Sequence, residues 1–233
     1  MMNATITRIP PFITRWFEEL QPLEMRAIVP EPSQAGVFSA DMIAGFLTTG
    51  NLASERVGRL AQPAAEIFQK AYEHGIRNFV LFQDTHHPGA PEFGAFPPHA
   101  VQGTEESQTI PELKALSFSN LFTIIEKNSL HPALGTNFDK WLDEHRHVNT
   151  AIVVGNCTDL CVYQLAMHLR LRANALDYRD YRVIVPANAV DTFDIPEEAA
   201  EQSGSYAHPG DFFHQVFLYH MALNGVRVVR ELT

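Results

Sequence analysis

The chain has 233 residues, 45% of them hydrophobic and 19% charged, and a formal net charge of -10. Such a composition suits a globular protein large enough to bury a core without disulfide staples, and the charge argues against nucleic acid, whose phosphates need clustered Lys and Arg. No apolar run approaches the ~18 residues of a membrane span, and the N-terminus lacks an apolar segment with a small-residue cleavage site, so the expectation is a cytoplasmic protein with no membrane partner.

Residues 1–34 read as an irregular N-terminal arm, in which ITRWFEELQPLEMRAI can hold a short helix between prolines. Residues 35–233 read as one domain, on which the arm packs unless it packs on a second copy. AGVFSAD is a short buried strand ending at Asp41. SERVGRLAQPAAEIFQKAYEHG has helical periodicity, with Ser54 as its cap and Gly75 as its stop. RNFVLFQD is a second strand, ending at Asp84, and NLFTIIEK a third, ending at Lys127. NFDKWLDEHRH is helical, and NTAIVVG is a fourth strand, ending at Gly155. TDLCVYQLAMHLRLRAN is a helix with Val162, Leu165, Ala166 and Leu169 along one stripe. YRVIVPAN is a fifth strand, DFFHQVFLYHMALNG a helix, and VRVV a sixth strand. Strands alternate with helices, and several strands are continuously apolar. The predicted fold class is α/β: a three-layer α/β/α arrangement around a six-stranded, mostly parallel sheet. The arm and the apolar FHQVFLYHMALNG segment lead to the expectation of a homo-oligomer.

Asp41, Asp84, Lys127 and Cys161 all fall at or just past the C-terminal ends of strands, the edge along which open α/β sheets bind ligands. Any one of these polar residues is ordinary there; two acids, a base and a thiol on one rim are less so. Cys161 lies in the first turn of a helix that Thr158 or Asp159 can cap. A helix N-terminus favours thiolate over thiol, and its free N–H groups can hold an oxyanion. Asp41 can accept the thiol proton, and Lys127 can favour the thiolate. His131 and His208 stay open as partners in a Cys-His pair. The only other cysteine, Cys157, precedes the helix and reads as a small buried residue contributing its backbone N–H. The turn does not suit a disulfide between the two, and a zinc site using both would need more soft ligands, with no other cysteine to supply them.

The loop QDTHHPGAPEFGAFPPHAVQGT carries a second constellation. Asp84 and His86 form a D-x-H pair, His99 follows in FPPH, and Glu92 is available as a fourth ligand. Carboxylate with imidazole suits zinc, iron or manganese with an open position. His87 is assigned to solvent.

GNCTDLCV, from Gly155 to Val162, matches the nucleophile motif G-x-x-T-D-x-C-V of the isochorismatase-like cysteine hydrolases, which the chain resembles over roughly residues 35–230. The family's strand-one aspartate, usually in D-x-Q-x-D-F, maps to Asp41 in DMIAGF; Phe46 also matches, while Ile43 and Gly45 depart. Its lysine maps to Lys127. QDTHHP and FPPHAVQGT resemble the metal site of the nicotinamidase branch, with Ala100 where cysteine is frequent. The resemblance implies one divalent metal, zinc foremost with iron or manganese compatible, on Asp84, His86, His99 and Glu92. It also implies a cis peptide between Asn156 and Cys157, an oxyanion hole from the N–H groups of Cys157 and Cys161, and a substrate ring held by Phe46 and Phe96. The implied activity is amide hydrolysis by Asp41, Lys127 and Cys161 through a thioester, with nicotinamide as the expected substrate. Two rivals stand beside it: a hydrolase for another small amide, and a metal-binding scaffold without catalysis, against which the intact Asp41, Lys127 and Cys161 argue.

Overall fold

The computed structural model describes residues 9–233. Residues 1–8 of the expected arm lie outside the described residues. The sheet contains β1 (Ala35–Ala40), β2 (Asn78–Asp84), β3 (Phe122–Lys127), β4 (Thr150–Asn156), β5 (Arg182–Pro186), β6 (Val190–Asp191) and β7 (Arg227–Val229). The strand order is β3-β2-β1-β4-β5-β7, with β6 pairing β4 beyond the end of β5, and every pairing is parallel. All six expected strands are present. The seventh, β6, has only two residues, too few for periodicity to reveal.

Successive residues of a strand face opposite sides of the sheet, and here each side has its own core. Val37, Phe79, Leu81, Ile152 and Val154 point to one side, against the helix α2 (Ala61–His74). Phe38, Val80, Phe82, Ala151 and Val153 point to the other, against α3 (Phe138–Glu144), α4 (Cys161–Ala175) and α6 (Gly210–Leu223). The stripe of Val162, Leu165, Ala166 and Leu169 is the buried face of α4. Both faces of the central strands are therefore apolar, which is why their sequences read as unbroken hydrophobic runs.

Gly75 ends α2 in the left-handed conformation, at φ 109°. Ser54 precedes a separate short turn, Glu55–Gly58, and its side chain makes no capping hydrogen bond; Pro63 then sits near the start of α2, where a proline is tolerated. The arm packs on its own domain. Its helix α1 (Pro11–Glu18) sets Phe12 and Trp16 edge-on against Tyr219 of α6, and Phe17 against His214. Arg230 donates to the carbonyls of Leu20 and Glu18, and Leu23 bridges to Leu232, so the arm runs along the β7 end of the chain. A small helix α5 (Glu197–Ser203) sits in the excursion between β6 and α6, whose two sides meet where Ile195 pairs with His208. No helix among the described residues is long and apolar enough to cross a membrane.

The ends of β1 and β4 approach closely at one glycine. A Cβ on Gly155 would lie 2.0 Å from the Ala40 carbonyl oxygen, and Gly155 has φ 114°. Gly155→Ala must therefore part the two strand ends and adopt a conformation L-residues avoid. The expected loss is about 3 kcal/mol or more, read as a fall in the urea midpoint; a loss below about 1 kcal/mol would show that the strand ends separate freely.

Candidate active site

The parallel register assembles the charged centre. Asp84 and Lys127 are direct partners at the ends of β2 and β3, so their side chains leave the same face of the sheet. Lys127 Nζ donates to Asp84 Oδ1 and lies 2.9 Å from Asp41 Oδ2 and 3.6 Å from Cys161 Sγ. Asp41, Asp84, Lys127 and Cys161 are all buried.

Asp41 is fixed along its whole length. Its N–H donates to Phe82 O at 2.9 Å, and its carbonyl accepts the Asn156 Nδ2 amide at 2.7 Å. Its Oδ1 accepts the Asp84 N–H at 2.8 Å. These contacts hold it at φ 52°, sparsely populated for a non-glycine residue. Burial, and then repulsion from Asp84, raise the Asp41 carboxyl to about 6 despite Lys127. For Lys127, burial opposes the charge, but Asp41 and Asp84 outweigh it and hold the ammonium well above its ordinary value.

Cys161 is the first residue of α4. Neither expected cap serves that helix. Thr158 Oγ1 pairs with His214 Nδ1 at 2.9 Å, and Asp159 Oδ2 accepts from His208 Nε2 at 2.8 Å. The thiolate-favouring effect of the helix end does not decide the resting state either. Burial and the Asp41 carboxylate raise the thiol well above its ordinary pKa, against the pull of Lys127. Cys157 is buried and pushed up to about 12 by burial. The Asn156–Cys157 peptide is cis, and the N–H groups of Cys157 and Cys161 donate to no acceptor among the described residues. His131 lies against His168, and His208 is taken by Asp159, so neither hydrogen-bonds Cys161.

Asp84, His86, Glu92 and His99 bring one ligand atom each within 4.8 Å of one another. The two imidazole Nε2 atoms are 3.1 Å apart; His86 Nε2 is 3.6 Å from Asp84 Oδ2 and 3.8 Å from Glu92 Oε1. Behind them, His99 Nδ1 donates to Pro97 O at 2.8 Å. His86 Nδ1 donates at 3.2 Å to Asn128 Oδ1, which also accepts the His87 N–H. Those bonds place the proton of each neutral ring on Nδ1 and leave the Nε2 lone pairs facing inward. Asp84 Oδ2 and Glu92 Oε1 are buried without a hydrogen-bond donor. Four acceptors thus converge, an arrangement that fits a cation. Two ligands each about 2.0–2.1 Å from a tetrahedral zinc would sit about 3.3 Å apart, comparable with the spacing here. Burial opposes protonation of His86, but Asp84 and Glu92 outweigh it and raise its pKa; burial lowers that of His99. His87 is exposed.

Both clusters open into one cavity of about 630 Å³, which Phe46 and Phe96 also line. Phe46 lies 5.5 Å from the His99 ring and Phe96 6.2 Å. Several supporting residues carried no motif. Asn128 is one, and the Asn156 side chain, expected only for its cis peptide, is another in its hold on the Asp41 carbonyl. Glu106 is a third: its Oε2 accepts the Ala100 N–H at 2.8 Å, while the Ala100 carbonyl accepts the His86 N–H. A Cβ on Gly45 would lie 2.9 Å from Glu106 O, so the departure at Gly45 makes room for this brace. Ile43 is buried and bridges to Thr109. Arg56 pairs with Asp191 at 2.8 Å and Asp211 at 2.7 Å, tying the cavity rim to β6 and α6.

Comparison with known proteins bears on the family and the fold. The isochorismatase domain profile matches residues 35–209. Nicotinamidase 1 of Arabidopsis thaliana is 31% identical over 93% of this chain and 92% of its own length. Among solved structures, N-carbamoylsarcosine amidase from Thermoplasma acidophilum is similar at a TM-score of 0.61 and 25% identity, covering 84% of this chain and 96% of its own. Nicotinamidase PncA from Bacillus subtilis shares the fold at a TM-score of 0.66 and 22% identity, covering 84% of this chain and 99% of its own.

Lys127→Met leaves two buried carboxylates without their counter-ion. Stability at neutral pH should fall by about 3–5 kcal/mol. Without the ammonium both carboxyls have raised folded-state pKa values, so protonation favours the folded state and part of the loss should return between pH 7 and 4. Urea unfolding across that range measures it, and a pH-independent deficit would contradict the ion-pair account.

Proposed function

Because the chain belongs to the isochorismatase family, we propose that it is a metal-dependent cysteine amidohydrolase that converts nicotinamide to nicotinate and ammonia. One observation carries the reading. The Cys161–Lys127–Asp41 cluster and the Asp84, His86, Glu92, His99 cage open into the same cavity and share the Asp84–Lys127 contact. The Arabidopsis relative supports the choice of substrate.

When bound to Asp84, His86, His99 and Glu92, a divalent ion would supply a Lewis-acidic position for a ring nitrogen. Phe46 and Phe96 flank the ring and exclude water from it. Asp41 takes the proton of Cys161, and Lys127 stabilises the sulfur anion as it attacks the carboxamide carbon. The N–H groups of Cys157 and Cys161 receive the oxyanion. Protonated Asp41 gives its proton to the departing ammonia, leaving a thioester on Cys161. Asp41 then deprotonates a water that attacks the thioester carbonyl; nicotinate leaves and the thiol is restored.

Ammonia and nicotinate release from nicotinamide, with and without chelator, tests this directly. Metal-loaded protein that releases neither would overturn the substrate assignment. Cys161→Ala should lose at least about 10³-fold in kcat/KM, whereas Cys157→Ala should stay within about tenfold, because its thiol is buried, protonated and outside the bond-making steps. Asp41 must be ionised to act as base, so kcat/KM should fall on the acid side. Its carboxyl is raised to about 6 by burial and by Asp84, and a cation on Asp84 would move that limb lower; a metal-loaded profile flat from pH 7 to 4 would exclude Asp41 as the base.

A further inference from the structure

The cavity is far larger than one pyridine carboxamide requires. Its lining includes a second lobe, formed by Leu160, Phe193, Ile195, His208, Phe213 and Phe217, none of which has a task in the reaction above. The order of strand ends locates this lobe. Along the C-terminal edge of the sheet the sequence is β3, β2, β1, β4, β6. The metal cage begins at the end of β2, the nucleophile follows β4, and Phe193 and Ile195 follow β6. Cys161 therefore stands between the cage and the lobe. With a ring held at the cage, its carboxamide carbon at the sulfur and its nitrogen within reach of Asp41, a substituent on that nitrogen trans to the ring extends away from the cage, past Cys161 and toward the lobe.

The lobe is preformed. The His208 ring is stacked between Phe193, at 3.9 Å and 21°, and Phe213, at 4.3 Å and 12°. Its Nδ1 contacts Phe193 O at 3.0 Å and its Nε2 contacts Asp159 Oδ2 at 2.8 Å. Asp159 Oδ2 is paired with His208, while its Oδ1 is buried without a hydrogen-bond partner, and Asp194 Oδ1 accepts the Gly210 N–H. Apart from that one open acceptor, the lobe offers aromatic and aliphatic surface to a neutral group.

We propose that this lobe is a leaving-group subsite, and that the enzyme takes secondary carboxamides whose nitrogen carries a neutral aromatic or branched apolar substituent. The chemistry rests on the amidase reading above. The C–N bond breaks, the Asp41 proton passes to the nitrogen, and the substituent leaves as a primary amine; water supplies the oxygen of the acid.

Calorimetry on metal-loaded Cys161→Ala protein, comparing nicotinamide with N-benzylnicotinamide, reads occupancy without turnover. Burying one ring should tighten binding about tenfold or more. Wild-type enzyme should release benzylamine with a kcat/KM at least equal to that for nicotinamide. Ala207→Trp, which places an indole on the wall of the lobe, should lower the ratio of benzyl to unsubstituted kcat/KM at least about fivefold. Equal or weaker binding of the benzyl compound, or binding of neither, overturns the subsite. If Cys161→Ala does not fold, inhibition of wild-type nicotinamide turnover gives the same comparison, and failure to inhibit or react overturns it. Tighter benzyl binding without turnover of any amide would sustain the subsite while overturning the hydrolase reading.

Discussion

One buried ammonium holds the centre of this protein together. Lys127 contacts Asp41, Asp84 and Cys161 at once, and all four groups are buried. With Glu92 the centre contains three carboxylates and a single lysine, a net charge of -2 when both cage imidazoles are neutral. An excess of that kind is costly in a low-dielectric interior. Its consequence is visible in the upward shifts of Asp41 and Glu92, each caused first by burial and then by repulsion from Asp84. A divalent cation in the cage would cancel the excess. Charge balance, rather than proximity alone, therefore links the two clusters: whatever sits among the four cage ligands changes the field at Asp41 through Asp84 and Lys127.

Holding such a centre requires a backbone that does not relax. The two non-glycine residues with positive φ nearest the site, Asp41 and Ala100, are each held at both N–H and carbonyl. Gly155 lets β4 approach β1 closely enough for Asn156 to reach the Asp41 carbonyl. Glu106 reaches Ala100 only because Gly45 and Gly50 leave it space. The supporting shell is thus built from glycines, the Asn156 carboxamide and the Glu106 carboxylate, with the charged cluster and the cage set upon it.

The strands and the main helices were legible because buried parallel strands are unbroken apolar runs and helices carry stripes. The rim residues were legible because strand ends are, and a spaced motif around Cys161 narrowed the chemistry further. What stayed hidden is long-range. No local pattern announces that Glu106 braces Ala100, that Arg56 reaches across to Asp191 and Asp211, or that Asp159 is committed to His208 some fifty residues on. The expected caps of α4 failed for the same reason. Thr158 and Asp159 have the right chemistry and position for capping, but tertiary partners compete for their side chains and win.

The thiol shows how burial can reverse a local expectation. A helix N-terminus contributes only about 0.3–1 kcal/mol at ordinary sites, while full burial can move a titratable group by several pKa units. At Cys161 burial dominates, and Asp41 adds to it. The resting sulfur therefore keeps its proton although Lys127 lies 3.6 Å away. In the proposed reaction the nucleophile is not a standing thiolate. Its proton must move to Asp41 as the carbonyl is attacked, when negative charge passes from the sulfur to an oxygen that the free N–H groups of Cys157 and Cys161 can receive. In that reaction, loss of the sulfur's proton is coupled to attack on a carbonyl already seated between Cys161 and the two N–H groups.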